Sequence, residues 1–127
     1  MAKAADPQSL LPLTPSVFQI LLALSDQERH GYAIMREVAS QTEGQLNLGP
    51  GTLYGCIKRM LSAGLVEESA ERPDPQLDDE RRRYYRMTDL GRRVTHLEAR
   101  RLEAAVAAAR AKKLLPVIKP SFAAGRL

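Results

Sequence analysis

Between residues 49 and 65 the chain gathers groups suited to holding a polyanion. At about 3.6 residues per helical turn, Leu53, Ile57, Met60 and Leu61 fall on one side. Thr52, Gly55, Arg59 and Ser62 fall on the other, with Tyr54 and Lys58 at its edge. This second face offers hydroxyls, two cations and one position with no side chain. Such a surface suits a closely approaching polyanion, with DNA the obvious candidate, because hydroxyls and cations meet phosphate oxygens and base edges. The same pattern also describes an ordinary amphipathic helix with a solvated face. This helix alone does not separate the two readings.

A second concentration of charge lies at Arg81, Arg82, Arg83 and Arg86, beside Tyr84 and Tyr85. Guanidinium groups there suit phosphates or a minor groove. They also suit internal compensation, since Asp78, Asp79 and Glu80 immediately precede them.

Catalytic chemistry finds no comparable pattern. His30 and His96 belong to different elements, and neither has a carboxylate at a telling spacing. His30 reads as a helix cap or packing residue and His96 as exposed. No Ser or Cys nucleophile motif is present, and the glycines around Pro50 do not spell a phosphate-binding loop. Cys56 is the single cysteine, so an intramolecular disulfide and a multi-cysteine metal site are both excluded. It reads as a small packing residue, with a thiol sensor as the alternative. The expectation is a protein that is not an enzyme and uses no cofactor or metal. No signal segment opens the sequence and no apolar run approaches the roughly 20 residues of a membrane helix, so a cytoplasmic location without membrane contact is expected.

The elements that must position these groups follow from patterning. The chain has 127 residues and a formal net charge of +4, which suits one domain with an appended element. Residues 1–13 show no period and read as a flexible arm. Thr14 and Pro15 start a helix whose residues Val17, Phe18, Ile20, Leu21, Leu22 and Leu24 are apolar nearly all round. Such a helix is buried on more than one side, which assigns Phe18 and Leu22 to contact with a second copy. A polar link over residues 25–30 leads to a helix over 31–42, with Ile34, Met35, Val38 and Ala39 inward and Arg36, Glu37 and Ser40 outward. Pro50 then opens the third helix at a position that tolerates its missing N–H, and Gly64 supplies a left-handed stop.

Residues 65–70 read as a strand, 71–82 as a proline-rich acidic loop, and 83–88 as a returning strand with Tyr85 and Met87 on one face. Thr88 caps a long helix expected to run to about Leu115. Its stripe is split. Leu90, Val94 and Leu97 share one face, whereas Leu102, Ala105, Val106 and Ala109 share a rotated one. The first half is expected to pack on its own domain and the second on a partner copy. Pro116 begins the tail. The division is therefore an arm over 1–13, a winged helix-turn-helix domain over 14–88, a dimerisation helix over 89–115 and a tail over 116–127. The fold class is mostly α with a small β-hairpin.

Several motifs in order carry a family likeness: His30-Gly31-Tyr32, Gly51-Thr52-Leu53-Tyr54, Gly64-Leu65-Val66-Glu67, and Arg83 to Thr88 with Gly91 beyond. Together, over roughly residues 13–110, the chain resembles the PadR family of bacterial transcriptional regulators, in its short form with a single C-terminal helix. The resemblance implies a winged helix-turn-helix that binds a pseudo-palindromic operator in double-stranded DNA as a homodimer. It further implies a repressor released by a small molecule or stress signal. It assigns DNA contact to Thr52, Tyr54 and Lys58 on the third helix, to Arg82 and Arg83 on the wing, and to Tyr32 near the DNA backbone. Gly55, Arg59, Ser62 and Arg81 join them from the residue pattern. Two departures stand out. Gly49 replaces a frequent serine cap, and no aromatic residue lies between Asp89 and Leu115 to furnish a stacking site for flat effectors. A winged-helix module that docks proteins without specific DNA binding is the alternative.

Overall fold

The computed structural model describes residues 6–69 and 83–116. A 3-10 turn at Pro7–Leu10 precedes α1 (Pro15–Ala23), β1 (Arg29–His30), α2 (Gly31–Gln41), α3 (Pro50–Ser62), β2 (Val66–Glu68), β3 (Tyr84–Met87) and α4 (Asp89–Ala111). Side-chain caps start three of the helices. Thr14 accepts from the Val17 N–H at 3.2 Å, His30 Nδ1 from Ala33 at 3.1 Å, and Thr88 from Gly91 at 3.0 Å. Each satisfies a first-turn donor that the helix itself leaves unpaired. Gly49 caps α3 without a side-chain bond.

The core forms where α1, α2 and α3 meet the small sheet and the first half of α4. Ile20, Leu21, Ile34, Val38, Leu53 and Val94 are fully buried there. Burial of each such side chain stabilises the fold by about 1.5–3 kcal/mol. α3 stops in a paired-bond cap: the Gly64 N–H donates to Leu61 O at 3.1 Å and the Leu65 N–H to Met60 O at 2.9 Å. Gly64 takes φ +78 to do so, a value glycine adopts without a Cβ clash.

Four expectations change. The β-structure is a three-stranded antiparallel sheet of order β1-β3-β2, not a hairpin alone. β1 falls in the stretch read as a polar link, where Arg29 pairs with Tyr85 and His30 with Tyr84. Two residues are too few to show an alternating pattern, so only tertiary pairing creates this strand. It also explains why Tyr84 and Tyr85 are both buried: the His30 ring meets Tyr84 edge-on at 5.3 Å. The arm, from residue 6 to residue 13, packs on α4, and the Leu13 N–H donates to Glu98 Oε2 at 3.1 Å. Finally, α4 ends at Ala111 rather than near Leu115. Lys113 turns left-handed at φ 65, and the Leu114 N–H donates to Ala109 O at 2.9 Å. The acidic loop read over 71–82 and the tail beyond Pro116 lie outside the described residues.

Glu98 is the one carboxylate sunk in this framework among the described residues, at 2% exposure. It accepts from Arg101 Nε at 2.6 Å and Nη2 at 3.0 Å besides Leu13. The hydrogen bond from Arg101 holds its pKa below the ordinary glutamate range and the Leu13 N–H adds to that, against the opposing effect of burial.

Candidate nucleic-acid interface

α3 is fixed from behind. Leu53, Cys56, Ile57 and Met60 are buried, so the helix presents one invariable face to solvent. Thr52, Tyr54, Lys58, Arg59 and Ser62 lie on its exposed side, with Gly55 half-buried among them. The inward burial of Cys56 agrees with its reading as a packing residue.

Within this face the side chains differ in what they are free to do. Lys58 is exposed and has no ionic partner among the described residues. Tyr54 is partly committed: its hydroxyl lies so close to Gly31 that a Cβ there would collide with it. That seat joins the start of α2 to α3. Arg59 folds back along its own helix, with Nη2 3.4 Å from Cys56 Sγ. It also borders a cleft of about 210 Å³ between the arm and α3, lined by Leu10, Pro12, Leu13, Val17 and Met60 among others. Arg59 thus occupies the flank nearest the arm.

The two described arginines of the wing are both paired. Arg83 is exposed but reaches Glu68 at 3.4 Å, and Arg86 Nε donates to Glu67 at 2.8 Å. These pairs are half-exposed, so they hold the strands together weakly while cancelling local charge. Arg81 and Arg82 lie outside the described residues. Within the same strand, burial and then the Glu68 carboxylate push the Tyr85 hydroxyl above its usual pKa.

Tyr32 stands out from α2 at 55% exposure. Over its ring sits the Arg36 guanidinium, 5.2 Å from the centroid. Arg36 was not among the residues read as DNA contacts. Its signal was present in the spacing, since a cation four residues after an exposed aromatic lies beside it on a helix.

The two glycines of α3 differ from Gly31, Gly44, Gly64 and Gly91. An added Cβ would meet nothing within 4 Å at Gly51 and only the Arg59 guanidinium, at 3.7 Å, at Gly55. Neither residue has the positive φ that Gly44 and Gly64 show. Packing therefore demands neither, although a glycine inside a helix is destabilising by about 0.5–1 kcal/mol relative to alanine.

The residues assigned to self-association are distributed over two helices. Phe18 and Leu22 on α1 are half-buried within the single chain. On α4, Leu102 is 37% and Val106 42% exposed; Ala105 is exposed and Ala109 half-buried. From residue 99 to residue 108 every position of α4 is exposed, so this half of the helix runs past its own domain. Among the described residues no three His, Cys, Asp or Glu side chains gather to hold a metal ion, and no helix is long and apolar enough to cross a membrane.

This geometry has relatives. A solved PadR family transcription regulator from Clostridium difficile superposes with a TM-score of 0.64 at 21% identity, covering 76% of this chain and 96% of that one; at that identity the likeness concerns the fold. Among curated proteins, an uncharacterised protein X of Lysinibacillus sphaericus is 32% identical over 73 residues, 58% of this chain. An uncharacterised 37.1 kDa protein in transposon TN4556 of Streptomyces fradiae is 36% identical over 80 residues, 63% of this chain. The matches span 64% of the first relative's length and 21% of the second's. The family model for PadR-like transcriptional regulators matches residues 20–97, a span that runs from the core of α1 through the exposed face of α3 and the sheet into α4. With the three-helix core, the sheet and the appended helix all in place, this chain belongs to the PadR-like family of transcriptional regulators.

Proposed function

We propose that the protein is a sequence-specific DNA-binding regulator that acts as a homodimer, and that it represses transcription until a small molecule or stress signal releases it. The observation that carries the proposal is the solvent face of α3. It combines Thr52, Lys58 and Ser62 with two glycines that the fold does not require. Glycine there lets a groove wall approach the helix backbone, while Lys58 supplies phosphate contact and the hydroxyls reach phosphates or base edges. Tyr54, seated on Gly31, keeps 39% of its surface exposed.

Self-association is supported by Leu102 and Val106, which the chain leaves uncovered on the overhanging half of α4. A dimer joined there would present two copies of α3 to successive major grooves about 34 Å apart. The cleft between the arm and α3 supports a release step, because a molecule wedged into it would press on Met60 from behind the reading face.

Selection of bound fragments from random-sequence DNA, followed by titration of the recovered duplex across a salt series, tests the reading. The expected outcome is a symmetric recovered motif and an affinity that falls steeply with salt, by a log–log slope of roughly −0.9 for each phosphate neutralised. Lys58→Ala is expected to weaken binding while leaving the dimer intact by light scattering. A selection that enriches no motif, together with salt-independent binding, removes the proposal.

A further inference from the structure

Among the described residues, the cations left without a carboxylate partner near the interface are not on the wing. Among the described residues near the interface, Arg83 is paired with Glu68 and Arg86 with Glu67. Arg59 turns back onto Cys56. Arg29, at the base of α2, is held by Asp26 and Glu37. Lys58 and Arg36 have no carboxylate partner among the described residues, and Arg36 lies on α2 rather than on the reading helix or the wing.

Arg36 is also held in place. Its guanidinium lies over the Tyr32 ring, one turn earlier on the same helix, so both side chains stand together on the exposed side of α2. A guanidinium attracted to an aromatic face still has N–H donors free for an anion. The helix that carries the pair abuts α3 at its start, where Tyr54 of α3 rests against Gly31, the residue before Tyr32. An uncompensated cation on the helix that abuts the reading helix is placed to meet the sugar–phosphate strand that borders the groove.

We infer that Arg36, seated over the Tyr32 ring, is a phosphate contact of this protein, so that its DNA footprint extends across α2 and the backbone on that side is held by α2 as well as by α3. This rests on the DNA-binding reading above and adds a residue and a division of labour to it. Phosphate contact fixes register without reading sequence, so Arg36 contributes equally to matched and unmatched DNA. Tyr32 acts through Arg36 as a positioning residue.

The test uses the full chain, a fluorescein-labelled duplex recovered by random-sequence selection, and a scrambled duplex of equal length. Arg36→Ala is expected to weaken both duplexes by a similar factor, about five- to tenfold, and to reduce the magnitude of the salt slope by about 0.9 for each protomer bound. Arg36→Lys should restore the slope but only part of the affinity. Tyr32→Leu should weaken binding with the slope kept, since the charge remains. Both sites are exposed, so thermal unfolding of all three variants should be unchanged. Unaltered affinity and slope in Arg36→Ala, with wild-type binding intact, overturn this inference and spare the DNA-binding reading. A loss confined to the selected duplex with the slope kept places Arg36 on a base edge and also overturns it. Wild-type protein that binds neither duplex in a salt-dependent way overturns both.

Discussion

Gly31 and Gly91 sit at junctions between elements; Gly51 and Gly55 sit on the open face of α3. At Gly91 the start of α4 lies directly against the chain leaving α3, and an added Cβ would collide with the Leu65 carbonyl oxygen and press Met87 Cγ at 3.1 Å. At Gly31 the Tyr54 hydroxyl fills the space a Cβ would take. At Gly51 and Gly55 no such neighbour exists. The first pair are glycines because the protein's own atoms occupy the space. The second pair leave space that the folded chain does not use, and that unused space faces away from the core. The contrast separates what the fold requires from what a ligand would require, without appeal to charge.

The largest expected effect on stability follows from the first pair. Gly91→Ala drives a methyl group into a backbone oxygen that is itself committed, since the Leu65 carbonyl accepts the Thr88 N–H at 3.1 Å. Overpacking that cannot relax typically costs about 1–3 kcal/mol and occasionally more; a backbone obstacle puts this site at the upper end, about 3 kcal/mol. Thermal or urea unfolding should show the full loss, and wild-type stability would break the comparison at its first term. Gly31→Ala is milder, about 1–2 kcal/mol, because the obstacle is the tip of a partly exposed tyrosine that can swing aside. Placed in a Tyr54→Ala background, which removes the colliding hydroxyl and ring carbons together, Gly31→Ala should recover part of the loss. Failure to recover any would mean that Tyr54 is not the obstacle.

These two glycines also show what could be read in the chain. Their presence was legible, and so were the helices they join, the caps at Thr14 and Thr88, and the stop at Gly64, because all depend on neighbours within a few residues. The steric reasons for Gly31 and Gly91 depend on Tyr54 and Leu65, more than 20 positions away, and no local pattern shows such a meeting. β1 was hidden for the same reason, its two residues acquiring strand geometry from β3. The exposed residues of α3 were legible as a face. That Arg59 turns back to Cys56, and that Glu68 and Glu67 neutralise Arg83 and Arg86, required side-chain positions that periodicity does not contain. Arg36 stands apart from the arginine run near the wing, so charge density along the sequence does not single it out.

Charge follows the same division as glycine. Glu98 is buried and fully engaged in holding the arm, whereas Lys58 and Arg36 are exposed with no carboxylate partner among the described residues. Glu98→Gln keeps an acceptor for the Leu13 N–H but loses the charge that Arg101 meets. With Arg101 half-exposed, solvent screening limits the loss to about 1 kcal/mol at neutral pH. The sign with pH is fixed by the lowered pKa of Glu98. An acid bound more weakly to protons in the folded state stabilises that state above the ordinary carboxylate range, and the contribution disappears as pH falls through the lowered value. The gap between wild type and Glu98→Gln should therefore close on acidification. A gap that stays constant would show that the carboxylate charge is not what fastens the arm.

The smallest change in stability is also the one in the opposite direction. Gly55→Ala adds a methyl group with no neighbour nearer than the mobile Arg59 guanidinium and replaces a poor helix former by a good one. It should stabilise the protein by about 0.5–1 kcal/mol. If the open face of α3 enters a groove, the same methyl group occupies space needed by DNA, and affinity for the selected duplex should fall as stability rises. No loss of folding can produce that combination, so the variant isolates the contact surface from the scaffold. Stabilisation with unchanged affinity would place the close approach elsewhere on the helix, and the parallel replacement of Gly51 would then locate it. Destabilisation would mean that Gly55 belongs with Gly31 and Gly91, and the division between scaffold glycines and interface glycines would fail at that residue.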